Sequence, residues 1–254
     1  MYRVFAFLIS ACLLCACDNN ATQKSVEKSP LLKPSVQNHT GSINIQTHPD
    51  LVDVQEGHSE IQIDLKYTTS ANFLGEKLYT KIDKAYLQKD VAERLARVQN
   101  ALQRTHRGYK LLIYDALRPV TVQQKMWAAL DSLPPVERAK FVSNPKNLSL
   151  HNMGAAIDLT ILDAKGKPLD MGAGFDDIRH IAYPIYEDSF LRTGQLTPRQ
   201  VQNRKLLRSA MQAQGFRQLP TEWWHYNACS RDEAKSKYKV FYTENDIFTK
   251  PTSN

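Results

Sequence analysis

Two short segments carry side chains that could do chemistry together. One reads Ser149-Leu-His151-Asn-Met-Gly154-Ala-Ala156-Ile-Asp158, the other Glu222-Trp-Trp-His225. They offer two imidazoles, a carboxylate able to ligate a metal, and a second carboxylate beside the last histidine. That set suits a mononuclear zinc hydrolase. Three protein ligands leave one coordination position for water, and a nearby Glu can take a proton from that water.

The first segment predicts a loop bearing His151 followed by a strand bearing Asp158. Gly154 between them permits a tight bend or close backbone approach. The small Ala155 and Ala156 are expected to leave room beside a metal. Asp158 stands between Ile157 and Leu159, and a carboxylate buried there needs a partner. A metal ion is one partner and a strand-end salt bridge another; this motif alone leaves both open. In an extended second segment, Glu222 and Trp224 share one face and Trp223 and His225 the other. Convergence of Glu222 with His225 therefore requires a twist or bulge at Trp223-Trp224. The two tryptophans are expected to wall the site as well as pack.

The surrounding elements follow from periodicity. Residues 60–67 alternate polar and apolar, predicting a strand. Val91, Leu95, Val98 and Leu102 recur at helical spacing over 90–105, and Gly108 ends that helix. Residues 111–114 read as a buried strand leading into Asp115-Ala-Leu-Arg118-Pro119, with a helix over 121–130 and a strand over 155–162. Thr197-Pro-Arg-Gln200 predicts a helix start, with Thr as N-cap and Gln at the third position, running to Gly215. Residues 216–226 return as extended chain carrying the second motif. There is no regular strand–helix–strand rhythm. The predicted architecture is a single α+β domain: a mainly antiparallel sheet flanked by helices, with the zinc site at the sheet.

The 254 residues are 42% hydrophobic and 23% charged, which suits one globular domain of roughly 200 residues plus extensions. Such a domain buries enough core to fold without a structural metal, so a metal here would serve chemistry. The net charge of +7 is scattered, with no dense basic block interleaved with aromatics, which argues against nucleic acid as a partner. Met1-Tyr-Arg3 and the apolar stretch Val4 to Leu14 read as a leader too short to span a bilayer. Leu14-Cys-Ala-Cys17 resembles a bacterial lipobox. That resemblance implies cleavage before Cys17, lipidation of its thiol, and a membrane-anchored lipoprotein of the cell envelope or periplasm. An ordinary signal peptide is the alternative. The predicted organisation is a lipoprotein signal peptide over 1–17, a flexible tether over 18–49, a catalytic domain over 50–244 and a C-terminal tail over 245–254. His39 and His48 fall in the tether and are not expected to be ligands. Of the 4 cysteines only Cys229 lies in the body, so no internal disulfide framework is expected. Cys229 reads as a small buried thiol rather than a fourth metal ligand.

Ser-x-His-x-x-Gly-x-Ala-x-Asp followed by Glu-x-Trp-His resembles the zinc D-alanyl peptidases of family M15. Asp64-Leu-Lys-Tyr67, Asn72-Phe73-x-Gly75, Tyr114-Asp115-Ala-Leu-Arg118-Pro119, Met171-Gly-Ala-Gly-Phe175-Asp176, Asn203-Arg-Lys-Leu-Leu-Arg208, Gly215-Phe216 and Glu222-Trp-Trp-His-Tyr226 narrow the resemblance to the VanX-type D-alanyl-D-alanine dipeptidases. The likeness runs in order over roughly residues 50–240. It implies one Zn²⁺ per chain, held by His151, Asp158 and His225. Glu222 would be the general base, and later return the proton to the leaving amine. Arg118 would stabilise the oxyanion, a contribution of roughly 3–4 kcal/mol for one donor; Pro119 after it favours an extended presentation. Asp176 would bind the substrate ammonium, with Ser149, Tyr67 and Asp115 also at the substrate, Asp115 able to orient Arg118.

The implied reaction is zinc-dependent hydrolysis of the D-alanyl-D-alanine dipeptide to D-alanine, by Glu-assisted attack of a zinc-bound water. The alternative is a D,D-carboxypeptidase trimming peptidoglycan stem peptides. An acidic partner for the ammonium favours a free dipeptide over a long peptide, whose corresponding nitrogen is an amide. A wall-binding lipoprotein without turnover is a third possibility, against which the presence of Glu222 argues. The stretch Tyr79 to Tyr86 aligns ambiguously with the family, and no carboxylate-binding residue is carried over from it. The leader and tether are additions relative to cytoplasmic dipeptidases and point to an envelope location.

Overall fold

In the computed structural model, which describes residues 46–249, the chain opens with β1 (Gln46–Thr47), paired antiparallel with β9 (Phe248–Thr249). A second antiparallel pair joins β2 (Leu51–Asp53) to β4 (Tyr86–Gln88). The main sheet has five strands, in the order β3 (Gln62–Ile63), β5 (Lys110–Asp115), β6 (Ala156–Leu162), β8 (His225–Asn227) and β7 (Arg217–Gln218). Its neighbours are antiparallel except β3 and β5. A parallel pair needs a crossover connection, and α1 (Lys89–Thr105) lies in it. The other helices are α2 (Val120–Ala129), α3 (Pro135–Arg138), α4 (Glu187–Arg192), α5 (Pro198–Gln212) and α6 (Arg231–Lys237). This is the expected α+β architecture.

Strand β6 is the centre of the core, buried at every residue. A strand covered on both faces tolerates a continuous apolar run, which explains Ala-Ile-x-Leu-x-Ile-Leu around Asp158 and Thr160. Helix α1 buries Val91, Leu95, Val98 and Leu102, the stripe its spacing predicts. The α5 start is also as predicted: the Gln200 amide donates to Thr197 Oγ1 at 3.2 Å, and the Thr197 amide to Gln200 Oε1 at 2.8 Å.

Three expectations need correction. The strand over 60–67 shrinks to β3, because Lys66–Thr68 turns into a 3₁₀ helix. The Tyr67 carbonyl there accepts from the amides of Leu78 and Tyr79, each at 2.9 Å, so it is not available to a sheet neighbour. Helix α5 stops at Gln212, short of Gly215, which carries the chain out at φ +80°. The domain is also longer at both ends than 50–244. Residues 46–49 and 245–249 join it through β1 and β9 and through the His48 amide, which donates to the Ile247 carbonyl at 2.7 Å. The His48 ring sits edge-on against Phe241, so it is a packing residue. The leader, Cys17 and the rest of the tether lie outside the described residues. Among those described, no helix is long and apolar enough to cross a membrane.

Candidate active site

Strand register assembles the centre. On β6, Asp158 lies opposite His225 of β8 and opposite Asp115 of β5. Simple alternation from the Ile113–Leu159 pair would place Tyr114 there; an irregularity between Ile113 and Asp115 brings in the carboxylate instead. Bulges re-aim side chains in this way. The expected bulge at Trp223-Trp224 is not formed. Glu222 reaches the site because it lies in the loop between β7 and β8, and the sheet resumes when the Leu159 amide donates to the Trp224 carbonyl at 3.1 Å.

His151 sits on a 3₁₀ turn, Leu150–Met153, built by its neighbours. The His151 amide donates to Ser149 Oγ at 3.3 Å, and the Ser149 amide to Asn152 Oδ1 at 2.7 Å. Gly154 ends the turn at φ 64°, and a Cβ there would meet the Gln88 nitrogen at 3.1 Å and Leu51 Cδ2 at 3.3 Å. Both the left-handed backbone and the close approach call for glycine. Ala155 and Ala156 do not border the centre. They pack with Leu150, Met153, Cys229 and Ala234, so their small size serves that cluster.

Three ligand atoms converge. His151 Nε2 lies 3.1 Å from His225 Nδ1, His225 Nδ1 3.0 Å from Asp158 Oδ1, and His151 Nε2 3.4 Å from Asp158 Oδ1. Ligands about 2.0–2.1 Å from a tetrahedral zinc ion stand roughly 3.3 Å apart. The outer ring nitrogens fix the tautomers: His151 Nδ1 is 2.6 Å from the Ala116 carbonyl, and His225 Nε2 is 2.9 Å from Asn227 Oδ1. Each outer nitrogen must donate, so the inner ones present lone pairs. Two lone pairs and a carboxylate oxygen aimed at one point cannot satisfy each other; a cation satisfies all three. Cys229 is a buried free thiol outside this group, and burial raises its pKa.

Arg118 borders the centre. Its Nη2 approaches Asp158 Oδ2 at 3.3 Å, while Asp115 Oδ2 holds Nε at 2.8 Å and Nη2 at 2.7 Å. Glu222 Oε2 lies 3.8 Å from His225 Nδ1. Burial pushes its carboxyl up to about 7, and Asp158 adds to this against the opposing pull of His225 and Arg118. Asp176 adopts φ 58° and accepts from the Tyr67 hydroxyl at 3.1 Å. Burial, then the Asp158 charge, push it up to about 7 as well. Its loop is clamped from α5, where buried Arg204 donates to the carbonyls of Met171 at 2.6 Å and Ile181 at 2.8 Å.

Two small cavities, of about 40 and 70 Å³, flank Glu222 and Arg118. Asp176, Tyr67 and Trp224 line the first; Ser149, His151 and His225 line the second. Trp223 lines neither, facing a separate cleft beyond Phe175. Asp115 also faces neither. It has no exposed surface, so its role is to hold Arg118 rather than to touch substrate. Sequence reasoning missed three supports. Tyr79 donates to Asp115 Oδ1 at 2.5 Å, Asn152 donates to the Arg118 carbonyl at 2.7 Å, and Asn227 accepts from His225. Asn227 was findable, because residues two apart on a strand share a face. Tyr79 was not, because its partner lies far along the chain.

Residues 47–244 match the Peptidase_M15 family, described as D-ala-D-ala dipeptidase. The chain is 34% identical over 177 residues to the D-alanyl-D-alanine dipeptidase of Escherichia coli (strain K12), covering 70% of this chain and 83% of that protein. It is 32% identical over 181 residues to that of Enterococcus faecalis (strain ATCC 700802 / V583), covering 65% and 85%. With that of Synechocystis sp. (strain ATCC 27184 / PCC 6803 / Kazusa) it shares 29% over 168 residues, covering 56% and 68%.

Proposed function

Because the chain belongs to the M15 family of D-Ala-D-Ala dipeptidases, we propose that it hydrolyses D-alanyl-D-alanine to D-alanine, with one zinc ion held by His151, Asp158 and His225. The observation that carries this reading is the triangle of two imidazole lone pairs and one carboxylate oxygen with 3.0–3.4 Å edges, next to Glu222. When bound, the ion supplies Lewis acidity, acidifying water and polarising the scissile carbonyl.

The chain's own residues do the rest. Glu222, half-buried beside the triangle with Oε2 3.8 Å from His225 Nδ1, can take a proton from the attacking water and return it to the departing amine as the C–N bond breaks. Arg118 borders both cavities, where its guanidinium meets the charge developing on the carbonyl oxygen. Asp176 offers a carboxylate to the substrate ammonium, which favours a free dipeptide over a stem peptide. The cavities suit a small substrate, since one water occupies about 10–15 Å³ of such space.

The Leu14-Cys-Ala-Cys17 segment supports lipidation at Cys17 and a membrane-anchored place in the envelope. Dipeptide released by wall turnover would be the substrate there.

The test is D-alanine release from D-alanyl-D-alanine and, separately, from a stem pentapeptide, with metal content measured on the same protein. Dipeptide turnover with about one zinc per chain supports the reading. Rapid cleavage of the stem with no dipeptide turnover replaces it with the D,D-carboxypeptidase.

A further inference from the structure

The two cavities that meet at Arg118, Phe141 and Glu222 have opposite hydrogen-bonding character. On the first side the free charge is Asp176. The other charges there are already paired, Lys140 with Glu137 at 2.7 Å and Asp177 with Arg179 at 2.6 Å.

The second side presents donors. Ser149 Oγ accepts from the His151 amide, which leaves its hydroxyl hydrogen to donate. Asn227 Oδ1 is used by His225 Nε2, so its Nδ2 hydrogens remain. Arg231, the first residue of α6, lines the same cavity. It makes no ion pair or side-chain hydrogen bond among the described residues. Arg118 cannot serve a second anion easily, because its guanidinium already faces the carboxylates of Asp115 and Asp158. Arg231 is therefore the uncommitted cation of the site.

A carboxylate beside Glu222 is repelled unless a cation answers it, and a guanidinium with neighbouring neutral donors is a favourable receptor for one. We infer that Arg231, with Asn227 of the same cavity, binds the free C-terminal carboxylate of the substrate. The substrate then lies with its ammonium at Asp176 and its carboxylate at Arg231, the scissile bond falling between them at Glu222 and Arg118. This rests on the hydrolytic reading above. Asp176 selects for a free amino end, and Arg231 selects for a free carboxyl end.

The test compares D-alanyl-D-alanine with its C-terminal amide in the wild-type protein, Arg231→Ala and Arg231→Lys. The wild type is expected to prefer the free acid by about tenfold or more in kcat/KM. In Arg231→Ala that preference falls below about threefold, through a KM for the acid raised about tenfold, while Arg231→Lys recovers part of it. Calorimetric titration of D-alanyl-D-alanine into Glu222→Gln protein, with and without Arg231→Ala, reads the same loss as about tenfold weaker binding. An unchanged acid-to-amide ratio and unchanged affinity in Arg231→Ala overturn the assignment. If the wild type cleaves only stem peptides, the dipeptidase reading fails by itself. The same acid-against-amide comparison on the stem pentapeptide then decides Arg231 separately.

Discussion

Asp115 grips Arg118 with a single oxygen, Oδ2, which lies 2.8 Å from Nε and 2.7 Å from Nη2. The other oxygen, Oδ1, accepts from Tyr79. The guanidinium thus reaches the catalytic centre already oriented, with Nη1 left for the substrate. Asp115→Asn keeps the shape but removes the charge and one acceptor. It is expected to lower kcat by about 10–100-fold with zinc content unchanged, against roughly 10²–10³-fold for Arg118→Ala. Steady-state kinetics with metal analysis on both variants checks this; a wild-type kcat in Asp115→Asn would refute the orienting role.

Glu222 stands beside the ligand triangle without belonging to it. Glu222→Gln is therefore expected to retain zinc and to lose about 10²–10⁴-fold in kcat, the range for a general base. Loss of zinc with loss of activity would instead make Glu222 a ligand.

Three inward-facing acceptors without a cation are costly, so metal and folding are linked. An ion present at about 1,000 times its Kd adds about 4 kcal/mol to stability. A chelator is expected to lower Tm and excess zinc to restore it. Asp158→Ala should abolish that zinc-dependent difference. Thermal unfolding of both proteins with and without chelator is the measurement.

Asp176 is raised from the usual carboxylate range to about 7 by burial and by Asp158. The folded state therefore holds a proton that the unfolded chain releases near pH 4, and stability declines as pH rises from about 4 to about 7. Asp176→Asn removes this contribution. With both proteins metal-free, the variant should gain stability relative to wild type across that window, by at most about 4 kcal/mol at about 1.4 kcal/mol per pKa unit. Urea unfolding of both proteins from pH 4 to 8 tests it; a pH-independent difference would show that Asp176 titrates normally.

The residue types and order in the sequence determined the chemistry: His151, Asp158, Glu222 and His225 are a zinc hydrolase's components, and their flanking motifs match one family. The strong periodicities also determined their elements, as α1, β6 and the capped start of α5 show. Convergence was decided by the tertiary structure. Asp115 reaches Asp158 only because β5 bulges beside Tyr114, and Glu222 reaches His225 because a loop, not a bulged strand, precedes β8. Asp115 became a support rather than a substrate contact because the fold leaves it no exposed surface. Sequence patterns report which face of an element is apolar. They do not report the register between strands distant in the chain, nor which donors remain unpaired once those strands meet. Those two quantities place the metal ligands opposite one another and leave Arg231 free at the edge of the site.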